Sequence, residues 1–433
     1  MTGEAPQPVA AGARFARWRA PLGYFVRNGP FAIVSSSLPG LINYVVVVYL
    51  TYRSGLEAAG EYRLLFSFFA ICGLFTLNEA AKVYVRANRF GRPDQMAALV
   101  LASAQVTLLA RLLLVAGYGV LAALDVPWLP PIILVIAGAS LFYYPAELYK
   151  AHLQSEQRFA TLFAATLAKW STVLLVFVAT FELTRSVMWS LALQLSAMAL
   201  INFLIFCHIS GRHLAFDRSL LNPLVNARRP ENKESAWLSF GLLPGLVEQV
   251  DKLLVGWIFG LEALGLYTLG FSSGRLLFNA LKPSLYIYYR HFVDRMPPAR
   301  LLRTAFLLFT LLGAMLAAGY VGAIQLFPVL APFRGTEWIA AVLFLSYGVA
   351  IVDGVYSQAY ALNKDTDSRH VFWGATLSSL PCFLLFAVAA QMPAEPGLVL
   401  FACFYPLRHG VAVALLRWQR RRQQQRAARP REG

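Results

Sequence analysis

Three ionisable residues, Glu248, Asp251 and Lys252, stand at i, i+3 and i+4 inside an apolar run. On a helix that spacing puts all three on one face. Glu248 four residues ahead of Lys252 is also the favourable order for an intrahelical ion pair. A second stripe, Ser272, Arg275, Asn279 and Lys282, follows at i, i+3, i+7 and i+10 in the next apolar run. Arg111, Lys169, Asp353 and the neighbours Arg408 and His409 stand singly in other such runs. Guanidinium groups hold a diphosphate through forked hydrogen bonds, and ammonium groups hold it as point charges. The cations Arg275, Lys252, Lys282, Arg111, Lys169 and Arg408 are therefore candidates for an anion-binding surface. The carboxylates Asp251, Glu248 and Asp353 are candidates for coupling to H+ or Na+, or they serve only to neutralise Lys252 and Arg275.

The elements that must position these groups are membrane helices. Apolar residues make up 58% of the chain and charged residues 14%, against about 25% charged in a typical soluble domain. Runs of roughly 20 apolar residues recur along the chain, each long enough to cross a bilayer as a helix. Twelve spans are expected, near 29–52, 62–86, 97–123, 130–151, 160–182, 187–209, 236–258, 264–290, 301–326, 338–361, 370–391 and 396–417. The basic residues test this layout. Alternate connections and both tails hold 28 of the 38 lysines and arginines, and the opposite connections hold only Arg53, Arg63, Arg185 and Arg334. Such a split predicts that both termini face the cytoplasm. The same sorting accounts for the net charge of +16, so no nucleic-acid partner is expected. An ionisable group at the bilayer centre costs at least about 2.5–3.5 kcal/mol. Six cations within the spans, set against Glu248, Asp251 and Asp353, therefore predict a hydrated cavity or a bound anion.

Two stretches 205 residues apart explain the organisation. GLEAAGEYRLLFS (Gly55–Ser67) and GLEALGLYTLGFS (Gly260–Ser272) agree at nine of thirteen positions, and LPGL at Leu38–Leu41 returns as LPGL at Leu243–Leu246. The chain reads as two six-helix halves. Six is even, so both halves enter the membrane in the same direction, as parallel repeats do around an axis along the membrane normal. The expected fold is an all-α polytopic membrane protein of about twelve helices in two parallel-repeat bundles around a central cavity. Its segments are a cytoplasmic tail (1–28), a first bundle (29–210), a polar linker (211–235), a second bundle (236–417) and a basic cytoplasmic tail (418–433) resting on anionic lipid. Pro39-Gly40 and Pro244-Gly245 recur at one depth in the two halves. Proline in a helix interior removes a hydrogen bond and kinks the helix, so these four residues are candidate hinges.

The pattern of helix, G-x-E-A-x-G-x-Y, then helix, opening both halves, resembles the polysaccharide (O-antigen) flippase family of the multidrug/oligosaccharidyl-lipid/polysaccharide exporter superfamily. The stretch Glu248–Leu276 carries the resemblance furthest. It is similar to the segment of aspartate, a basic residue, aliphatics and glycine with which these proteins open their second half. The resemblance implies translocation of an undecaprenyl-diphosphate-linked oligosaccharide from the cytoplasmic to the periplasmic leaflet of the inner membrane by alternating access. It also implies that Arg275 faces the cavity, as the matching arginine does in the related lipid-linked peptidoglycan precursor flippases. The first half has Ala70 at the repeat position of Arg275, so an asymmetric site is expected.

The alternative within transport is a multidrug-type exporter of the same superfamily. Those favour cationic drugs and acidic cavities, and the surplus of buried cations argues against one. A polymerase or ligase acting on lipid-linked glycans would need a sizeable extracytoplasmic loop, and the expected connections on that side are about a dozen residues at most. No H-E-x-x-H or Walker A pattern occurs. Cys72, Cys207, Cys382 and Cys403 lie in apolar stretches without metal-ligand spacing, and no cofactor is expected. The expected partners are the lipid-linked substrate, membrane lipids and a coupling H+ or Na+, with the chain monomeric or loosely associated with other polysaccharide-assembly proteins.

Overall fold

The computed structural model describes residues 11–77, 79–89, 95–123, 131–210, 218–239, 242–281, 297–362 and 368–428. Among them the chain is helical throughout, with no strand. In chain order the helices are α1 (Ala11–Ser54), α2 (Leu56–Leu74), α3 (Ala80–Arg89), α4 (Gln95–Ala123), α5 (Ile132–Ala146), α6 (Leu148–Ser155), α7 (Phe159–Thr184) and α8 (Val187–Ser210). Two short pieces follow, α9 (Pro223–Ala227) and α10 (Pro230–Ser239). Then come α11 (Leu242–Leu281), α12 (Ala299–Leu326), α13 (Glu337–Leu345), α14 (Tyr347–Leu362), α15 (Ser368–Ala389), α16 (Ala394–Ala402) and α17 (Phe404–Ala428).

α11 is not one rod. At about 1.5 Å per residue, Glu248 and Arg275 would stand roughly 40 Å apart in a straight helix, yet their side chains meet at 3.3 Å. The chain reverses at Gly260, with φ 89° and ψ 174°. That backbone conformation is open essentially to glycine alone. Gly55, the repeat mate of Gly260, joins α1 to α2 with φ 93° and ψ 176°. The repeated sequence therefore begins at the same turn in both halves. After each turn a tyrosine reaches back to the preceding arm: Tyr62 donates to Asn43 at 3.2 Å, and Tyr267 donates to Asp251 at 2.7 Å.

Nine of the described helices are long and apolar enough to cross a membrane, or ten if α13 and α14, bent by 48°, form one span. The twelve expected spans are compatible with this arrangement, and two features account for the smaller number. The folded-back α11 counts once. The expected span 62–86 falls on two separate helices, α2 and α3, and neither qualifies alone.

α1, α2, α4, α5, α7 and α8 pack on one another, and α11 to α17 do the same. Between the two groups the main contact is α2 against α11, with α1 also touching α11. The described part of the linker, residues 218–235, is largely helical. α9 and α10 lie against α4, α3 and α15. Asn226 is buried and donates to the Ala98 carbonyl, while Asn232 donates to Asn226. Pro39 sits inside the continuous helix α1. Pro244 lies in α11 beside residues 240–241, which are outside the described residues.

Candidate functional site

The α2–α11 seam is closed at one end and open at the other. Near the Gly55 and Gly260 turns the backbones touch. A Cβ at Gly60 would stand 1.9 Å from the Leu261 carbonyl oxygen, and a Cβ at Gly265 would stand 2.0 Å from that of Leu56. Small residues let helices approach this closely in membranes. Towards the opposite end, where α3, α6 and α10 lie, the seam parts into two cavities of about 430 Å³ and 310 Å³. Both are bordered by Glu79, Lys82 and Gln358, so they adjoin one another.

The smaller cavity is lined by three of the nine charges expected from the sequence, Glu248, Asp353 and Arg408. Glu248 is the hub: its two carboxylate oxygens take Arg275 at 3.3 Å and Arg408 at 2.7 Å. Two guanidiniums on one carboxylate give the trio a net positive charge, while Glu79, Lys82 and Asp353 add both signs to the cavity lining. Arg275 is further held by the Tyr405 ring at 4.6 Å and the Phe271 ring at 5.2 Å. Beside this trio, Asp353 pairs with His409 at 2.6 Å and accepts from Ser357 at 3.0 Å. Glu248, Asp353, Arg408 and His409 all face the cavity.

The expected Glu248–Lys252 ion pair does not form. Lys252 instead donates to both Asp251 carboxylate oxygens at 2.9 and 3.0 Å and to the Glu248 main-chain carbonyl at 2.5 Å. Tyr267 closes the group from the other arm of α11. Asp251 is fully buried and Lys252 nearly so. They form a sealed pair, and Glu248 and Asp353 are the candidate acids that the structure does bring to a cavity.

Arg111 and Lys169 line neither cavity. Arg111 donates to Ser140 at 2.6 Å and to the Cys72 carbonyl at 2.5 Å. Lys169, fully buried, donates to Glu147 at 3.0 Å and Asn202 at 2.9 Å among the rings of Tyr143, Tyr149 and Trp170. These two cations brace the first half. Lys282 lies outside the described residues.

Several residues here were not legible as site residues. Glu147, between α5 and α6, neutralises Lys169 and Lys150 and borders the larger cavity. Arg63, expected in an extracytoplasmic connection, lies in α2 with its guanidinium 3.4 Å from Gln249 of α11. Glu147 and Arg63 add one charge of each sign to the interior, and the cavity walls mix both signs. The stretch Gly270–Gly274, GFSSG, spells G-x-S-x-G. It lies mid-helix, not at the strand-to-helix turn of a nucleophile elbow.

The fold is shared with known transporters. The chain superposes on a single-residue mutant of the Vibrio cholerae MATE transporter VcmN with a TM-score of 0.62 at 12% identity, covering 92% of this chain and 96% of that one. It superposes on the MATE multidrug transporter DinF-BH, solved as a complex, with a TM-score of 0.57 at 14% identity, covering 97% and 99%. The family model described as "Polysaccharide biosynthesis protein" matches residues 96–286. No curated protein sequence matches the chain.

Helices of this length, folded in this way around polar cavities, give this chain the many-helix membrane fold of those transporters. The family-model match over residues 96–286 and the shared fold agree with the resemblance read from the sequence.

Proposed function

We propose that the protein flips an undecaprenyl-diphosphate-linked oligosaccharide across the cytoplasmic membrane for cell-surface polysaccharide biosynthesis. The observation that carries this reading is the Arg275–Glu248–Arg408 trio, whose Glu248 and Arg408 line the smaller cavity, within a chain matched over residues 96–286 by a polysaccharide-biosynthesis family model. A diphosphate offers oxygens in the geometry that arginine forks fit. It would exchange with Glu248 for the two guanidiniums while the polyprenyl tail stays in lipid. With the α3, α6 and α10 end on the cytoplasmic side, both cavities face the leaflet where such lipids are made. Rocking of the two bundles about the α2–α11 seam would then expose the site to the other side. Fold and family both point to transport rather than catalysis.

The test is loss and restoration. Cells lacking the gene accumulate lipid-linked oligosaccharide facing the cytoplasm, and the wild-type gene clears it. A joint Arg275→Gln and Arg408→Gln variant, present at normal levels in the membrane, does not clear it; clearance by that variant refutes the site. A second reading, export of an organic cation, is favoured by Glu79, Glu248 and Asp353 on the smaller cavity. It predicts raised resistance to cationic dyes on expression, with lipid-linked glycan unaffected.

A further inference from the structure

We propose that the linker between the two halves is seated in the membrane surface on the α3, α6 and α10 side, with acyl chains against Leu221, Leu224 and Val225 and anionic headgroups on Arg218 and Arg228. The reason is its inverted polarity. Leu221, Leu224 and Val225 are 65%, 72% and 45% exposed, while Asn226 is wholly buried. A water-facing surface helix carries the opposite pattern, apolar inside and polar outside. The seat is independent of the flippase reading, because nothing in it depends on what the cavities carry.

The inward amides satisfy the backbone. The chain here is a single 3-10 turn, Arg218–Leu221, followed by the five-residue α9. Such short pieces leave carbonyl and N–H groups that no helical ladder serves. Gln105 of α4 donates to the Leu220 and Leu221 carbonyls at 3.1 and 3.3 Å, and the Asn222 side chain accepts from the Leu224 N–H at 3.0 Å. Asn226 donates to Gln105 at 3.2 Å and to the Ala98 carbonyl at 3.3 Å. At an ordinary surface water serves such groups. A segment that serves them from within, while turning leucines outward, is built for a place where water is scarce.

Its position along α4 sets the depth. α4 is long and apolar enough to span from Gln95 to Val120. Leu220 packs on Ala97, Ala98 and Leu101. Gln105 stands about 15 Å along the helix from Gln95, at about 1.5 Å per residue. The linker thus lies beside the first part of the span, not beyond its end. One turn further on, α4 turns Leu108, Leu109, Leu112 and Leu113 outward as exposed side chains, the surface of a helix that faces lipid. The linker's exposed aliphatics adjoin that surface, where a soluble partner would have to reach beneath the headgroups. Interfacial segments bury their apolar face about 5–10 Å into the headgroup–acyl boundary and carry basic residues on the polar side. Arg218 and Arg228, both exposed, supply these at the two ends of the patch.

α10 carries the seat to the smaller cavity. Asn232 donates to the Asn226 carbonyl and to its side-chain oxygen, at 2.8 and 2.9 Å. At the far end of α10, Leu238 and Ser239 line the cavity, and Ser239 accepts from the Glu79 N–H at 3.0 Å. Trp237 meets Phe372 of α15 edge-on, with ring centroids 5.4 Å apart. One strap therefore ties elements of both halves to the membrane surface beside the cavity.

The test uses the purified full-length chain in vesicles of phosphatidylcholine, alone or mixed equally with phosphatidylglycerol. A nitroxide is attached at Leu224→Cys or, on α10, at Lys233→Cys, and the signal of the identically treated parent is subtracted. Collisions with dissolved oxygen, which concentrates in acyl chains, are compared with collisions with a water-soluble nickel chelate. The oxygen-to-nickel ratio at Leu224→Cys should exceed that at Lys233→Cys several-fold in both vesicles. Phosphatidylglycerol should raise it further, and Arg218→Gln with Arg228→Gln should abolish that rise. Val225→Cys, on the same exposed face, gives a second reading should the Leu224 variant fail to elute as a single species. Equal ratios at the two positions place the patch in water, and few collisions with either probe place it under a second copy of the chain; either result overturns the seat. A response to phosphatidylglycerol that is absent, or that survives loss of both arginines, overturns the headgroup contact. None of these outcomes bears on the flippase reading.

Discussion

Gly60 of α2 and Gly265 of α11 are 205 residues apart in sequence and mutually opposed in space: each faces the carbonyl of the leucine that opens the other's repeat. This reciprocity is what a pseudo-twofold axis does to a repeated sequence. The thirteen-residue repeat is the surface on which the two halves meet, so one short sequence packs against its own copy. Replacing either glycine by alanine brings a methyl to within 2 Å of a backbone oxygen that cannot swing aside. We predict that Gly60→Ala and Gly265→Ala have matching effects, separating the seam at the cost of overpacking, about 1–3 kcal/mol. A Leu56→Cys reporter should then react with an external maleimide at least several-fold faster than in the glycine parent. Unequal behaviour of the two variants contradicts the reciprocal contact.

The turns preceding these contacts make a second prediction. Gly55 and Gly260 hold a backbone conformation that side chains rarely adopt, with nothing within 4 Å to crowd an added Cβ. The penalty for Gly55→Ala or Gly260→Ala is conformational alone, on the order of 1–3 kcal/mol. Thermal unfolding of the purified protein should show comparable drops for the two. A negligible change at both places the strain elsewhere.

The two repeat tyrosines should differ. Tyr267 donates to the carboxylate of Asp251, and Tyr62 donates to the neutral amide of Asn43. Hydrogen bonds to charged groups contribute about 1.5–3 kcal/mol, and neutral ones about 0.5–1.5. Tyr267→Phe is expected to lower thermal stability more than Tyr62→Phe, although the two occupy equivalent positions. The reverse order counts against an ionised, Lys252-paired Asp251.

Glu248 holds two arginines, so its loss is worse than the loss of either. Removing one partner from a buried ion pair typically costs about 3–5 kcal/mol, somewhat less here because all three residues keep partial exposure. Glu248→Gln should destabilise strongly, and adding Arg275→Gln should recover part of that stability, a coupling of about 0.5–3 kcal/mol in a double-mutant cycle. Additive losses refute the trio.

Arg111 and Lys169 provide the contrast. Neither lines a cavity: Arg111 is held by Ser140 and the Cys72 carbonyl, and Lys169 is buried behind Glu147 and Asn202. Arg111→Met and Lys169→Met should reduce the amount of folded protein, while the molecules that do fold retain wild-type affinity for undecaprenyl diphosphate. Arg408→Gln should do the opposite, with normal abundance and weakened binding. A fall in affinity at Arg111 would return it to the binding surface.

How much of this could be read beforehand depends on the range of the interaction. Membrane character, the repeat and the helical stripes are local or periodic properties, so composition and spacing declare them. The GLEA-type repeat even marks the seam, because two surfaces related by an axis must be self-complementary. Arg63 was misplaced by a few residues at a helix boundary, where hydropathy is least informative. Glu147 was missed because a carboxylate near a basic connection looks like a surface group until α7 brings Lys169 beside it.

The sequence by itself determined that this chain crosses a membrane many times, is built from two like halves, and carries charges it cannot leave in hydrocarbon. Which charge answers which was decided by tertiary structure. Glu248 and Lys252 share a helix face and were expected to pair, but the reversal at Gly260 swings Arg275 back onto Glu248, and α17 adds Arg408. Lys252 is left to Asp251. Helical spacing fixes the direction in which a side chain leaves its own helix; its partner depends on what another helix presents there, and only the packed bundle supplies that.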